Sequence, residues 1–118
     1  MNLLRRVHKV SIIKLSAMQE RKPMKFTING EDLCLTRIGN EVFAINDTCT
    51  HSEASLSEGD VTDFKIECWL HGAEFDLRTG QALTLPANIA VKTYPVSIID
   101  DVVQVQFEDN YSANKNER

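Results

Sequence analysis

Apolar and polar residues alternate in three short segments in the first half of the chain. The segments are residues 25–28, 33–38 and 41–45. Asn29-Gly30 separates the first two and supplies the positive φ angles that a two-residue hairpin turn requires. Gly39-Asn40 separates the second from the third. The pattern therefore predicts antiparallel strands joined by tight turns.

A second hairpin is predicted near the end of the chain. Residues 94–99 and 102–107 are both rich in β-branched residues, and Asp100-Asp101 lies between them. Residues 13–21 give the longest helical interpretation, but they lack a clean apolar stripe, so we expect a loop or a short turn there. Residues 108–118 are polar, and we expect them to form a flexible tail. The fold class predicted is all-β.

The middle of the chain, residues 47–90, differs from the rest. It contains short apolar segments separated by loop-forming residues, namely Gly59, Gly72, Gly80 and Pro86. Loops carried on a rigid β scaffold are where binding residues are usually found. We therefore expect the functional site in this segment.

Length and composition restrict the class of protein. A chain of 118 residues corresponds to one domain, and 42% hydrophobic with 25% charged residues is typical of a soluble folded protein. No apolar run approaches the roughly 20 residues that span a bilayer, and no apolar stretch follows the charges of the first six residues, so neither a membrane partner nor a secretory signal is predicted. Three cysteines argue against a disulfide framework and predict a reducing, cytoplasmic location.

Charge is distributed unevenly. Residues 1–30 contain seven Lys or Arg and one Glu, whereas residues 31–118 contain six Lys or Arg and sixteen Asp or Glu. Eight of these acidic residues lie between Asn46 and Asn88, against Lys65 and Arg78. An acidic surface does not bind nucleic acid, whose phosphates require a basic patch.

Two Cys/His pairs stand in the loop-rich segment. Cys49 and His51 are separated by one residue, and Cys68 and His71 follow after sixteen residues with two residues between them. Three interpretations are open: buried cysteines with structural histidines, a zinc site, and an iron–sulfur cluster with two histidine ligands. Zinc sites favour C-x2-4-C and H-x3-5-H pairs, which is not the spacing here. An iron–sulfur cluster with two Cys and two His ligands suits the donor set.

At these residues the chain resembles the small soluble ferredoxins of the Rieske family. The resemblance covers roughly residues 7–107, and we expect these to form a single domain. Outside the two loops, it includes residues 42–47, 56–59, 71–72, 75–76, 79–80, 86–87 and 94–96. The resemblance implies one [2Fe–2S] cluster on an antiparallel β-sandwich base, held by a smaller cluster-binding subdomain of about residues 47–90.

The resemblance also implies the role of each ligand. Cys49 and Cys68 would hold one iron, and His51 and His71 the other. Pro86 would lie in a third loop that shields the cluster. These four residues are the candidate cofactor-binding and metal-ligating set, and no catalytic residue is implied.

This sequence differs from other classes of Rieske protein at positions that those classes need for their functions. Ala54 and Leu70 stand where high-potential members carry two further bridging cysteines, and the chain is too short for the catalytic iron domain of oxygenase subunits. The sequence therefore predicts a monomeric one-electron carrier, not an enzyme, which passes electrons from a reductase to a terminal oxygenase or a similar acceptor. A donor for iron–sulfur assembly and a non-redox zinc-binding interaction module are the alternatives.

A low reduction potential is expected. High-potential Rieske proteins carry Ser and Tyr hydroxyls where this chain has Ala73 and Phe75. A hydroxyl that donates to the cluster stabilises its reduced form, which has one more negative charge. Of the remaining residues, Cys34 is expected to be a small buried side chain. Trp69 is interpreted equally well as loop packing or as a contact for a partner.

Overall fold

The computed structural model describes the backbone of residues 3–112 and the side chains of residues 7–108. Within this range the regular structure is almost entirely β, and the two helical segments are single 3₁₀ turns at Leu15–Ala17 and Leu56–Glu58. The strands are β1 Leu3–Lys14, β2 Met24–Ile28, β3 Glu31–Ile38, β4 Glu41–Asn46, β5 Asp60–Thr62, β6 Lys65–Glu67, β7 Glu74–Asp76, β8 Thr93–Tyr94, β9 Val96–Ile99 and β10 Val102–Ser112. In this part of the chain, no helix is long and apolar enough to cross a membrane.

The strands form three antiparallel sheets. One has the order β1-β10-β9, the second β2-β3-β4-β8, and the third β5-β6-β7. The third sheet contains three strands of three residues each and lies within the loop-rich segment. We call the first two sheets the base, and residues 47–90 the loop region. The all-β prediction is confirmed.

The predicted hairpins form at the expected turns. Asn29 and Gly30 have φ angles of 53° and 79°, and they connect β2 to β3. Asp100 and Asp101 have φ angles of 50° and 68°, and they connect β9 to β10. Both central residues with positive φ match the right-handed twist of the strands they join. The local turn chemistry therefore accounts for the register of both hairpins.

Strand β3 has a hydrophobic core on each of its faces. Leu33 and Leu35 belong to a core between the two base sheets, which also contains Val103, Val105 and Phe107 of β10. Cys34 and Ile38, on the opposite face of the strand, belong to a second core under the loop region. Successive side chains of a strand point to opposite faces, so a run of buried residues in β3 separates two cores.

The second core contains more alanine and cysteine than the first. Its members in the loop region include Ala54, Leu56, Ile66, Ala73, Phe75, Leu77 and Ala87, together with Cys49 and Cys68. Two glycines permit close backbone approach there: a Cβ on Gly59 would lie 1.9 Å from the Glu67 carbonyl oxygen, and one on Gly80 would lie 2.1 Å from that of Val91. The loop region is therefore packed by close backbone contact as well as by side chains.

Two segments without a clear strand pattern, residues 13–21 and 108–118, can be compared with their predicted structures. Residues 13–21 form no helix: β1 continues to Lys14, and a single 3₁₀ turn follows. The C-terminal end differs from the expected tail, because β10 continues to Ser112 through pairing with β1 as far as Leu3. Residues 113–118 of the predicted tail lie outside the described residues.

Candidate metal centre

The first Cys/His pair lies on a closed loop that follows β4. The Cys49 backbone N–H donates to the Ala54 carbonyl at 3.0 Å, and the Ser52 N–H donates to the Cys49 carbonyl at 3.3 Å. Thr48 and Ser55 form an antiparallel bridge at the base of this loop. The backbone therefore holds Cys49 and His51 on one turn without help from either side chain.

The second pair lies on the connection between β6 and β7. The Cys68 N–H donates to the Ala73 carbonyl at 2.7 Å, and the Gly72 N–H donates to the Cys68 carbonyl at 2.9 Å. Gly72 has a φ of 77°, which an L-residue with a side chain adopts only under strain. The turn therefore requires the glycine that follows His71.

The tertiary structure brings the four predicted residues together. The ligand atoms of Cys49, His51 and Cys68 all lie within 4.8 Å of one another, and Cys49 Sγ is 2.9 Å from His51 Nδ1. His71 joins this group through His51, with His71 Nδ1 2.9 Å from His51 Nε2 and the ring centroids 5.1 Å apart. Two loops that are separated by sixteen residues thus present one set of donors.

Burial divides the set into two halves. The thiols of Cys49 and Cys68 are buried, with exposed fractions of 2% and 0%. His51 is half-buried, and His71 is exposed. Burial, the largest cause, raises the pKa of the Cys49 thiol, and the neighbouring Cys68 thiol raises it further, whereas hydrogen bonds from His51 and Ser52 lower it. A neighbouring cation would favour the thiolate form of Cys49.

The donor set fits a [2Fe–2S] cluster better than a single zinc ion. A single zinc with bonds of about 2.0–2.3 Å draws all four ligand atoms around one point. His71 lies outside the set of three whose ligand atoms are mutually within 4.8 Å. Two inner thiols and two outer imidazoles match a cluster with two Cys on one iron and two His on the other.

Comparison with known proteins identifies the family. The sequence pattern of the Rieske [2Fe–2S] domain matches residues 8–95. The chain belongs to this family. The cofactor is therefore a [2Fe–2S] cluster, and the earlier resemblance is confirmed for both family and fold.

Individual relatives are small ferredoxins. The ferredoxin component of biphenyl 2,3-dioxygenase from Rhodococcus jostii (strain RHA1) is 40% identical over 85 residues, covering 72% of this chain and 79% of the relative. The solved ferredoxin of carbazole 1,9a-dioxygenase from Nocardioides aromaticivorans IC177 is 32% identical with a TM-score of 0.81, covering 82% of this chain and 95% of the other.

A second similar solved structure contains a ferredoxin together with an oxygenase. It is a complex of reduced oxygenase and oxidised ferredoxin in carbazole 1,9a-dioxygenase, and the matched chain is 31% identical with a TM-score of 0.78, covering 81% of this chain and 99% of that one. The Rieske chain described here is accordingly an electron carrier, the ferredoxin type of component, rather than a catalytic enzyme.

Two features near the site were not found from the sequence. Asp47, which is 2% exposed, lies at the base of the first ligand loop; the sequence showed it only as part of the family-like segment 42–47, two residues before Cys49, and gave no sign of its burial. Leu85 and Ile89, in the loop between β7 and β8, are 78% and 62% exposed. Exposed apolar residues give no pattern that distinguishes them from core residues until the loop is folded.

Proposed function

We propose that Cys49 and Cys68 hold the inner iron of the cluster and that His51 and His71 hold the outer iron. The observation that carries this assignment is the convergence of two buried thiols with two imidazoles, of which His71 is exposed. When bound, the cluster accepts and releases one electron at a time. The chain supplies the ligands, excludes water from the thiol side through the second core, and leaves the imidazole side open to a partner.

Metal and sulfide analysis tests the ligand assignment. The purified protein is expected to be brown and to hold two irons and two labile sulfides per chain. His71→Cys is the informative variant, because a thiol in place of an imidazole makes the ligand set more anionic and should lower the reduction potential. One zinc per colourless chain would instead support the non-redox zinc-binding module and would sink the electron-carrier function.

The proposed acceptor is the terminal oxygenase of a ring-hydroxylating dioxygenase system, and the proposed donor is its reductase. The support is similarity: curated relatives are ferredoxin components of dioxygenase systems, and a solved neighbour of similar fold is in complex with an oxygenase. The described loops also carry five exposed apolar side chains, namely Trp69 and Leu70 just before His71 in the chain, and Leu83, Leu85 and Ile89 in the loop between β7 and β8. We call these five residues the apolar tip.

Acidic side chains accompany the apolar tip in the loop region. Glu53, Glu58, Asp60, Asp63 and Glu67 are all exposed. Thr50 Oγ1 donates to the Ile89 carbonyl at 2.7 Å, which ties the first ligand loop to the loop between β7 and β8. Exposed apolar and acidic side chains in the same segment favour a partner that offers both apolar and basic side chains, because complementary charge speeds transient encounters.

Electron transfer to a purified terminal oxygenase of a biphenyl or naphthalene dioxygenase tests the acceptor. Trp69→Ala should slow transfer at low protein concentration while leaving the cluster spectrum unchanged. Ile99→Ala is the matched control, because Ile99 is similarly exposed, at 51%, but lies at the turn between β9 and β10. Equal slowing in both variants would contradict docking through the apolar tip.

We further propose that residues 7–107 form the functional domain, with residues 47–90 as its cluster-binding subdomain, and that the protein acts as a cytoplasmic monomer. The three cysteines are free thiols, which is compatible with a reducing compartment. Light scattering during size-exclusion chromatography would give the mass of one chain, 13.3 kDa plus the cluster, if the monomer is correct. Cell fractionation tests the location.

A further inference from the structure

Asp47 is an acidic side chain placed inside the protein. It follows β4, and only 2% of its surface is exposed, although most acidic residues of the loop region are in contact with solvent. A buried carboxylate is costly unless it is hydrogen-bonded or paired with a cation. The hydrogen bonds of Asp47 therefore indicate the role of this buried carboxylate.

Its contacts close the first ligand loop. Asp47 Oδ1 accepts from the Ser57 backbone N–H at 2.8 Å, and Oδ2 accepts a short hydrogen bond from the Ser55 hydroxyl. The Asp47 carbonyl accepts from the Leu56 N–H at 2.6 Å. Asp47 therefore joins the start of the loop that carries Cys49 and His51 to the end of that loop at residues 55–57.

These donors are neutral. Among the ion pairs of residues 7–108 there is none that involves Asp47, and its partners are a backbone amide and a hydroxyl. Both carboxylate oxygens accept hydrogen bonds, as in an ionised acid. A negative charge without a cationic partner consequently remains below the first ligand loop.

The charge of Asp47 acts on one thiol of the second core, that of Cys34. Burial, the largest cause, and then the Asp47 charge raise the pKa of the Cys34 thiol to about 12, while a hydrogen bond with Thr36 lowers it. Cys34 belongs to the same core as Cys49 and Cys68. Charges inside a protein are screened by salt far less than charges at its surface.

We infer that Asp47 is a determinant of the reduction potential, because its buried charge opposes the electron that the cluster gains. The inference rests on the proposed ligand assignment. With two ferric ions, two sulfides, two thiolates and neutral imidazoles, the oxidised cluster is neutral and the reduced cluster carries one negative charge. A fixed negative charge nearby disfavours the reduced form and lowers the potential.

Voltammetry of cluster-loaded variants separates the charge of Asp47 from its hydrogen bonds. Asp47→Asn removes the charge but keeps an oxygen that accepts from Ser57. It should favour the reduced form at least threefold, which corresponds to about 30 mV at 59 mV per tenfold change. Ser55→Ala keeps the charge but removes one hydrogen bond of the loop, and it should leave the potential nearly unchanged. Asp47→Ser is a second neutral variant and should act as Asp47→Asn does.

Glu67 provides the matched surface control. Its side chain is exposed, and its Oε2 lies 3.3 Å from where a Cβ on Gly72 would be, next to the second ligand loop. The shift in Glu67→Gln should largely disappear in 0.5 M salt, which has a Debye length of about 4–5 Å. The shift in Asp47→Asn should persist.

Each outcome has a distinct meaning. A cluster-loaded Asp47→Asn protein with an unchanged potential, or with a shift that salt removes, would overturn the inference. Equal shifts in Asp47→Asn and Ser55→Ala would do the same, because they would indicate a loop distortion. If neither neutral variant retains a cluster, the carboxylate acts in loop folding alone and the inference is also wrong. Absence of iron and sulfide from the wild type would instead refute the proposed ligand assignment.

Discussion

The base and the loop region of this protein are stabilised by different means. In the base, strands of up to twelve residues pair along their length and enclose a core of Leu33, Leu35, Val103, Val105 and Phe107. In the loop region, the three strands have three residues each, and the core is rich in alanine and cysteine. An isolated sheet of such short strands is marginal in water.

This difference indicates how the protein separates stability from function. The core of the base is enclosed by long paired strands, whereas the loop region, with its short strands, would gain order from a cluster held by the proposed ligands. Because β3 forms the wall between the two cores, a rigid sheet supports the ligand loops from below. Changes in one core should therefore affect a different property from changes in the other.

The largest expected effect is loss of the cluster when a ligand thiol is removed. Cys68→Ala should abolish iron and sulfide binding, while far-ultraviolet circular dichroism continues to report the strands of the base. Cys34→Ala is the matched control, because Cys34 is equally buried, at 0% exposure, in the same core. It should keep the full cluster and cost about 1 kcal/mol of unfolding free energy, the size of one buried methyl deletion. Loss of the cluster in Cys34→Ala would contradict the distinction between a ligand thiol and a thiol that is only buried in the same core.

A pair of Leu→Ala substitutions compares the two cores directly. Leu35 in the base and Leu56 in the loop region are both completely buried, so each truncation should cost about 2–5 kcal/mol in its own region. Leu35→Ala should lower the urea midpoint seen by circular dichroism. Leu56→Ala should chiefly speed the loss of visible cluster absorbance and alter the fluorescence of Trp69, the single tryptophan, in the loop region. Identical changes in both signals for both variants would mean that the two regions unfold as one.

The reduction potential should respond to the loop region and not to the base. Ala73 and Phe75 are completely buried in the second core and lack the hydroxyls of high-potential relatives. Ala73→Ser and Phe75→Tyr should each favour the reduced form by about 1–2 kcal/mol, or roughly 40–90 mV, if the hydroxyl donates to the cluster.

Ala44→Ser makes the same chemical change in the core of the base, where Ala44 is 2% exposed. It should reduce stability by burying a hydroxyl but leave the potential unchanged. Protein-film voltammetry measures all three variants. A wild-type potential above about +100 mV would contradict this account, since the low end of the Rieske range is near −150 mV.

The smallest expected effect at neutral pH is on stability, and it comes from the thiol of Cys34 in strand β3. Burial, followed by the charge of Asp47, raises the pKa of Cys34 to about 12, from an ordinary value of 9.0. The folded protein therefore disfavours the thiolate. The stability that this provides is complete below pH 9 and is lost between pH 9 and 12, at no more than about 1.4 kcal/mol per pH unit. Urea unfolding of wild type and Cys34→Ala across this range should give a flatter curve for the variant; parallel curves would contradict the raised pKa.

Much of the base could be predicted from the sequence because its signals are local. Asn29-Gly30 and Asp100-Asp101 specify turns whose backbone angles the residues themselves favour, and alternation on both sides fixes which side chains face inward. The four candidate ligands could be named from spacing and family resemblance, since both Cys/His pairs lie on short loops. Extension of β10 to Ser112 could not be predicted, because its polar residues gain their backbone partners only from β1, far away in the chain.

Tertiary structure alone decided how the environment of the site is built. Burial of Asp47 depends on the return of the loop at Ser55 and Ser57, and exposure of Leu85 and Ile89 depends on where the loop between β7 and β8 lies. Neither depends on a periodic pattern. The sequence by itself determined the donor chemistry and the register of the hairpins, because both are encoded by residue type and short-range spacing. The buried charge and the apolar tip arise from contacts between distant segments, which only the folded chain brings together.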